Sequence, residues 1–108
     1  MTNNRMPTSR EAVMLDILMN GERPGRDIRN EYEERTGQKM PLGSLYTTLT
    51  RMETAGFVTS RTGGTTPERR GYPRKVFSIT GTGETALSNY QIFVVNAFGG
   101  QLRHVYAK

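Results

Sequence analysis

The sequence predicts an α+β domain, mainly helical, and three observations carry that prediction. Three segments in the first half of the chain repeat apolar residues at helical spacing. Two β-prone runs, "FVTSR" and "RKVFSIT", flank a glycine-, proline- and arginine-rich stretch. From Thr85 to Leu102 no charged residue occurs, and apolar residues occupy more than one side of a helical projection.

Residues 1–7 are polar and read as a flexible N-terminal segment. Thr8 and Glu11 then have capping-box spacing, and Ala12, Met14, Leu15, Ile17 and Leu18 follow at near-helical intervals. A helix is predicted from Ser9 to Met19, ended by "NGERPG". The stretch "RDIRNEYEERTG" is a second, mostly exposed helix. Ile28 and Tyr32 share its apolar face, Glu31 and Arg35 can pair across one turn, and Gly37 is placed to terminate it. Its carboxylates read as a solvated face.

"PLGSLYTTLTRMETAG" is the clearest helix, from Leu42 to Ala55. Leu42, Leu45, Tyr46, Leu49 and Met52 fall in one arc, Pro41 suits the start and Gly56 the stop. The opposite face carries Ser44, Thr47 and Arg51, with Thr48 and Thr54 beside them. Serine and threonine are poor helix formers, and ordinary exposed faces favour Glu and Lys. A small, polar, nearly uncharged face therefore suits close approach to another molecule.

Fourteen residues, Thr62 to Lys75, separate Arg61 from Val76, which predicts a hairpin with a long tip. Arg61, Arg69, Arg70, Arg74 and Lys75 stand there against Glu68 alone, most of the formal net charge of +5. Such a concentration suits a loop lying on a phosphate backbone. Three helices followed by a basic hairpin form a winged helix-turn-helix, with residues 8–80 as its DNA-binding domain. The predicted DNA-binding residues are Ser44, Thr47, Thr48, Arg51, Arg61, Arg69, Arg70, Arg74 and Lys75.

Residues 81–108 read as a C-terminal dimerisation helix. Thr80 can cap it, and Gly99 and Gly100 are expected to bend or end it. Leu87, Tyr90, Val94, Ala97 and Phe98 form its stripe, widened by Ile92, Phe93 and Val95. One side can pack onto the first helix; the other is expected to meet a second copy in a homodimer.

Composition narrows the function. The chain has 108 residues, 15 Lys plus Arg against 10 Asp plus Glu, and no cysteine. The basic balance points to an anionic partner. The missing cysteines remove disulfides and thiolate chemistry, and the single histidine, His104, has no ligand cluster around it, so no metal or cofactor is expected. No Ser-His-Asp set or acid/base pair suggests an enzyme. "ITGTGETA" has the Gly-x-Gly-x-x-Ala spacing of a dinucleotide-binding turn, but no acidic residue follows Glu84. No signal peptide and no run of roughly 20 apolar residues is present, which predicts a cytoplasmic protein without a membrane span. The competing reading is a basic winged helix that binds RNA or a protein partner. The threonine-lined face with Arg51 favours a major groove, and RNA modules would show exposed aromatic platforms.

"LGSLYTTLTRMETAGFVTSR" followed by "RRGYPRKVFSITGTGETAL" resembles the PadR family of bacterial transcriptional regulators. The matching residues are Leu45, Tyr46, Leu49, Met52, Glu53 and Gly56 before the wing, and Arg74, Lys75, Phe77, Ile79, Thr80 and Gly83 after it. The chain departs from the family at Arg26, where Tyr is common, and at Pro41, where Ser usually caps. The first departure either changes the helix packing there or adds a cation at the DNA edge. The resemblance, covering about Val13 to Leu87, implies a dimeric winged-helix DNA-binding protein, usually a repressor, sometimes released by a small aromatic or drug-like ligand. The twofold contact expected of the C-terminal helix would set two recognition helices about one DNA turn apart, so an inverted-repeat operator is expected.

Overall fold

The computed structural model of the chain describes residues 5–65 and 73–106. Its elements run α1 (Ser9–Leu18), β1 (Arg23–Pro24), α2 (Gly25–Thr36), α3 (Leu42–Thr54), β2 (Val58–Thr65), β3 (Pro73–Ile79) and α4 (Gly81–Tyr106). The three strands form an antiparallel sheet in the order β1-β3-β2. Strand β1 was not foreseen in the sequence: within the stretch that ends the first helix, Arg23 and Pro24 pair with Phe77 and Val76. A proline is tolerated there because β1 is an edge strand.

The capping box forms as expected. The Glu11 amide donates to Thr8 Oγ1 at 3.1 Å, and the Thr8 amide donates to Glu11 Oε1 at 2.9 Å. Arg5 completes the arrangement with paired bonds to the Glu11 carboxylate at 2.7 and 2.8 Å, and its guanidinium lies 5.1 Å from the centre of the Phe57 ring. Burial pushes the Glu11 carboxyl up, but Arg5 and the Thr8 amide outweigh it and hold the group below the ordinary carboxylate range. A lowered native value means stability that is complete above the unfolded value, about 4.3, and lost as pH falls through the native one. Glu11→Gln should therefore melt below wild type by a constant margin between pH 7 and 5. The margin should close under more acid conditions; a margin independent of pH would refute this account.

Helix α2 ends where Gly37 turns left-handed (φ 70°), and its amide donates to the Glu33 backbone carbonyl at 2.9 Å. The solvated face expected of its carboxylates is partly corrected. Glu31 binds both Arg23 (2.8 Å) and Arg35 (2.7 Å), and Glu33 accepts the Met40 amide at 2.6 Å. Helix α3 closes in a Schellman motif: the Phe57 amide reaches the Met52 carbonyl (2.9 Å), the Gly56 amide that of Glu53 (3.0 Å), and Gly56 has φ 82°.

One core joins all of this. Met14, Leu15, Ile17 and Leu18 meet Ile28, Tyr32, Met40, Leu45, Leu49, Met52, Phe57 and Phe77. Ala86 and Leu87 of α4 are buried in the same core, and Tyr90 packs against it. Leu42 and Tyr46, expected in the apolar arc of α3, are instead exposed.

Helix α4 is seated by two contacts. The Thr80 hydroxyl donates to the Gly56 carbonyl (2.5 Å) and accepts the Gly83 amide (2.9 Å). Gly83 lies so close to the chain that a Cβ there would fall 2.1 Å from the Phe57 carbonyl oxygen. The helix continues through Gly99 and Gly100 to Tyr106, so these glycines do not end it.

Candidate nucleic-acid interface

Helix α3 buries Leu45, Thr48, Leu49 and Met52 and exposes Gly43, Tyr46, Thr47, Thr50, Arg51 and Thr54. Thr47 and Arg51 are thus where the sequence placed them, and Ser44 is half-buried at the margin. Thr48 is a correction. It is only 8% exposed, and its hydroxyl donates to the Ser44 carbonyl at 2.8 Å, within its own helix. Thr50 is the residue the sequence reading missed. It lies one position beyond Leu49, almost opposite the buried row, at the middle of the outward face. Centring the polar face on buried positions rather than on polar ones would have found it. Gly43 adds open space at the start of that face. The result is a surface of small side chains with Arg51 on one border and Tyr46 on the other.

The wing strands extend further than expected. β2 and β3 pair from Val58↔Ile79 to Thr62↔Lys75, then slip by one residue to Thr65↔Pro73. The slip falls at Gly63-Gly64, as in a β-bulge. Arg69 and Arg70 lie outside the described residues. Of the other predicted wing cations, Lys75 is exposed, 5.8 Å from the Phe77 ring centre, and Arg74 is half-buried. Arg61 is engaged at the wing's root: its Nε donates to Glu22 Oε2 at 3.2 Å and its Nη2 to Glu22 Oε1, while Ser78 donates to the same carboxylate at 3.2 Å. These bonds, with Arg61 the main cause, hold the Glu22 carboxyl below its ordinary range and raise the Arg61 guanidinium.

The ion pairs sort the cations. Arg5, Arg23, Arg35 and Arg61 are bound to carboxylates. Among the described residues Arg26, Arg51, Arg74 and Lys75 form no ion pair. On α4, Leu87 is buried in the chain's own core and Tyr90 is partly covered, so neither is a free surface. Val94 is half-buried and Ala97 exposed. Ile92 (55%), Phe93 (51%), Val95 (58%) and Phe98 (50%) stand open to solvent.

The glycine motif at the start of α4 has a structural reason in Gly83, whose contact with Phe57 excludes any side chain. Among the described residues no cluster of His, Cys, Asp and Glu could hold a metal, and no helix is long and apolar enough to cross a membrane.

Residues 14–89 match the family described as Transcriptional regulator PadR-like family. Solved structures share the fold. A transcriptional-regulator candidate from Thermoplasma acidophilum superposes with TM-score 0.74 at 24% identity, over 92% of this chain and 91% of that one. A PadR-like transcriptional regulator from Bacillus cereus gives TM-score 0.73 at 18% identity, over 91% and 92%. Bacillus subtilis PadR, solved in complex with operator DNA, gives TM-score 0.68 at 24% identity, over 78% of this chain and 47% of that longer one. No curated protein matches the sequence.

Proposed function

The chain belongs to the PadR-like family of transcriptional regulators, and from that premise we propose that it is a cytoplasmic, homodimeric repressor that binds double-stranded DNA at an inverted-repeat operator. The observation that carries this reading is the outward face of α3. It presents Thr47, Thr50 and Arg51 with no carboxylate at its centre, and Arg74 and Lys75, without an ion pair among the described residues, stand on the adjoining wing. Small hydroxyl side chains let the helix sit deep in a major groove, and a guanidinium can bridge the two acceptors of guanine. Residues 8–80 supply the DNA-reading unit in this proposal, and residues 81–108 join two copies. Selection of bound sites from random duplexes tests it. Recovery of a palindrome is expected, whereas RNA outcompeting duplex DNA at matched salt would overturn it.

Arg51 gives the sharper expectation. Arg51→Ala should cost about 1–3 kcal/mol of operator affinity and relax one base position, because a bidentate base contact is lost. Binding titrations on single-base operator variants read this directly. A loss equal for every sequence would make Arg51 a phosphate contact.

A further inference from the structure

We infer that the DNA-facing surface continues off α3 onto α2, where Arg26 and the Tyr46 hydroxyl hold a backbone phosphate. This rests on the DNA-binding reading above and adds a contact from a second helix. Gly25, the first residue of α2, is buried, and a Cβ there would lie 2.9 Å from both Cε1 and the hydroxyl oxygen of Tyr46. The Tyr46 ring therefore rests on the first turn of α2, with its oxygen beside that turn. Tyr46 remains 44% exposed, and its hydroxyl forms no hydrogen bond among the described residues. Arg26 follows Gly25 directly. It is exposed and forms no ion pair among the described residues, and its neighbour Asp27 is likewise exposed and unbridged. Arg35 on the same helix is bound by two carboxylates, Asp16 and Glu31.

A guanidinium and a phenol on adjoining turns, neither with an acceptor among the described residues, are two kinds of donor. Phosphate oxygens, which take most of the hydrogen bonds in protein–DNA contacts, fit that pair. Position agrees with chemistry. Tyr46 borders the outward face of α3 on the side away from Arg51, so a duplex seated on Thr47 and Thr50 carries its sugar-phosphate backbone over Tyr46 and Arg26. Gly25 keeps the approach tight, because any side chain there would push the ring away.

The two residues should leave different signatures. A cation on a phosphate releases condensed counterions, whereas a neutral donor adds affinity without changing the salt dependence. The test is fluorescence anisotropy with a random-sequence 30-base-pair duplex over a range of potassium chloride concentrations. Wild type, Arg26→Gln, Tyr46→Phe and, as a wing comparator, Arg74→Gln are titrated. Arg26→Gln should lower the salt slope by about 1 per subunit. Tyr46→Phe should weaken binding roughly 3–10-fold, the loss of one hydrogen bond, with the slope unchanged. Both variants should melt as wild type does, since both side chains are exposed. An unchanged slope for Arg26→Gln, in a wild type that binds with a normal salt dependence, overturns this inference and leaves DNA binding intact. A full-affinity Tyr46→Phe removes the hydroxyl from the contact. A wild type that does not bind the duplex sinks the inference together with the function it rests on.

Discussion

Gly83→Ala is expected to cost about 3 kcal/mol, the upper end for overpacking a closed site, and to lower the thermal midpoint by roughly 12–24 °C. The new methyl would lie 2.1 Å from the Phe57 carbonyl oxygen and 2.9 Å from Ile79 Cγ1. The first of these is backbone, in the segment that leaves the Schellman motif of α3 and begins β2, so it cannot yield like the tip of a flexible side chain. Helix α4 would have to lift away, taking with it the Thr80 bonds to Gly56 and Gly83 and the burial of Ala86 and Leu87. Gly81→Ala is the control. It has the same chemistry two residues earlier, but nothing lies within 4 Å of its Cβ position. With compatible backbone, alanine there should stabilise by about 0.4–1 kcal/mol through the unfolded chain. Thermal melts of both variants decide the matter. If Gly83→Ala melts as Gly81→Ala does, α4 does not rest on the Phe57 carbonyl.

Gly83 also shows how much was legible beforehand. Elements whose signals are local were readable: the Thr8–Glu11 box, the left-handed stops at Gly37 and Gly56, the Glu31–Arg35 pair, and Thr80 as a cap. Each needs only residues within a few positions. Features set by tertiary contact were not. Strand β1 has two residues, too few for any periodicity, and exists because β3 offers it a partner. Thr48 is polar by type, yet its hydroxyl is satisfied by the Ser44 carbonyl one turn back, so it can be buried. Tyr46 reads as core by type and is exposed, because its ring lies over Gly25 instead of under Leu45 and Leu49. Arg61 sits within a basic run, but Glu22, far away in the chain, binds it. The general position of the proposed interface could be read from charge and helix composition. Which cations stay unpaired among the described residues required the ion pairs.

The largest functional effect is expected on α4. The helix spans 26 residues, about 39 Å at 1.5 Å per residue, and among its described residues those packed in or against the core are Ala86, Leu87 and Tyr90. Further along the helix Ile92, Phe93, Val95 and Phe98 are each at least half exposed. So large an apolar surface invites association, and a twofold contact would cover it with the same stripe from a second chain. Such a dimer would hold two α3 helices about 34–36 Å apart, one DNA turn, and so impose an inverted repeat. Val95→Asp and Phe98→Asp test this without endangering the fold. Both positions face solvent in the single chain, where substitutions usually stay within about 0.5 kcal/mol. In a dimer each would bury an unpaired carboxylate, which is strongly unfavourable. Both variants should melt at the temperature of an isolated wild-type chain and sediment as monomers. Their affinity for a duplex bearing the selected inverted repeat should fall roughly 10²–10⁴-fold, because the second half-site is no longer engaged by a tethered partner. Binding to a duplex with a single half-site should change far less, which separates loss of pairing from damage to α3. Variants that sediment as wild type does would place the interface elsewhere, and with it the basis for predicting a palindromic operator from this helix.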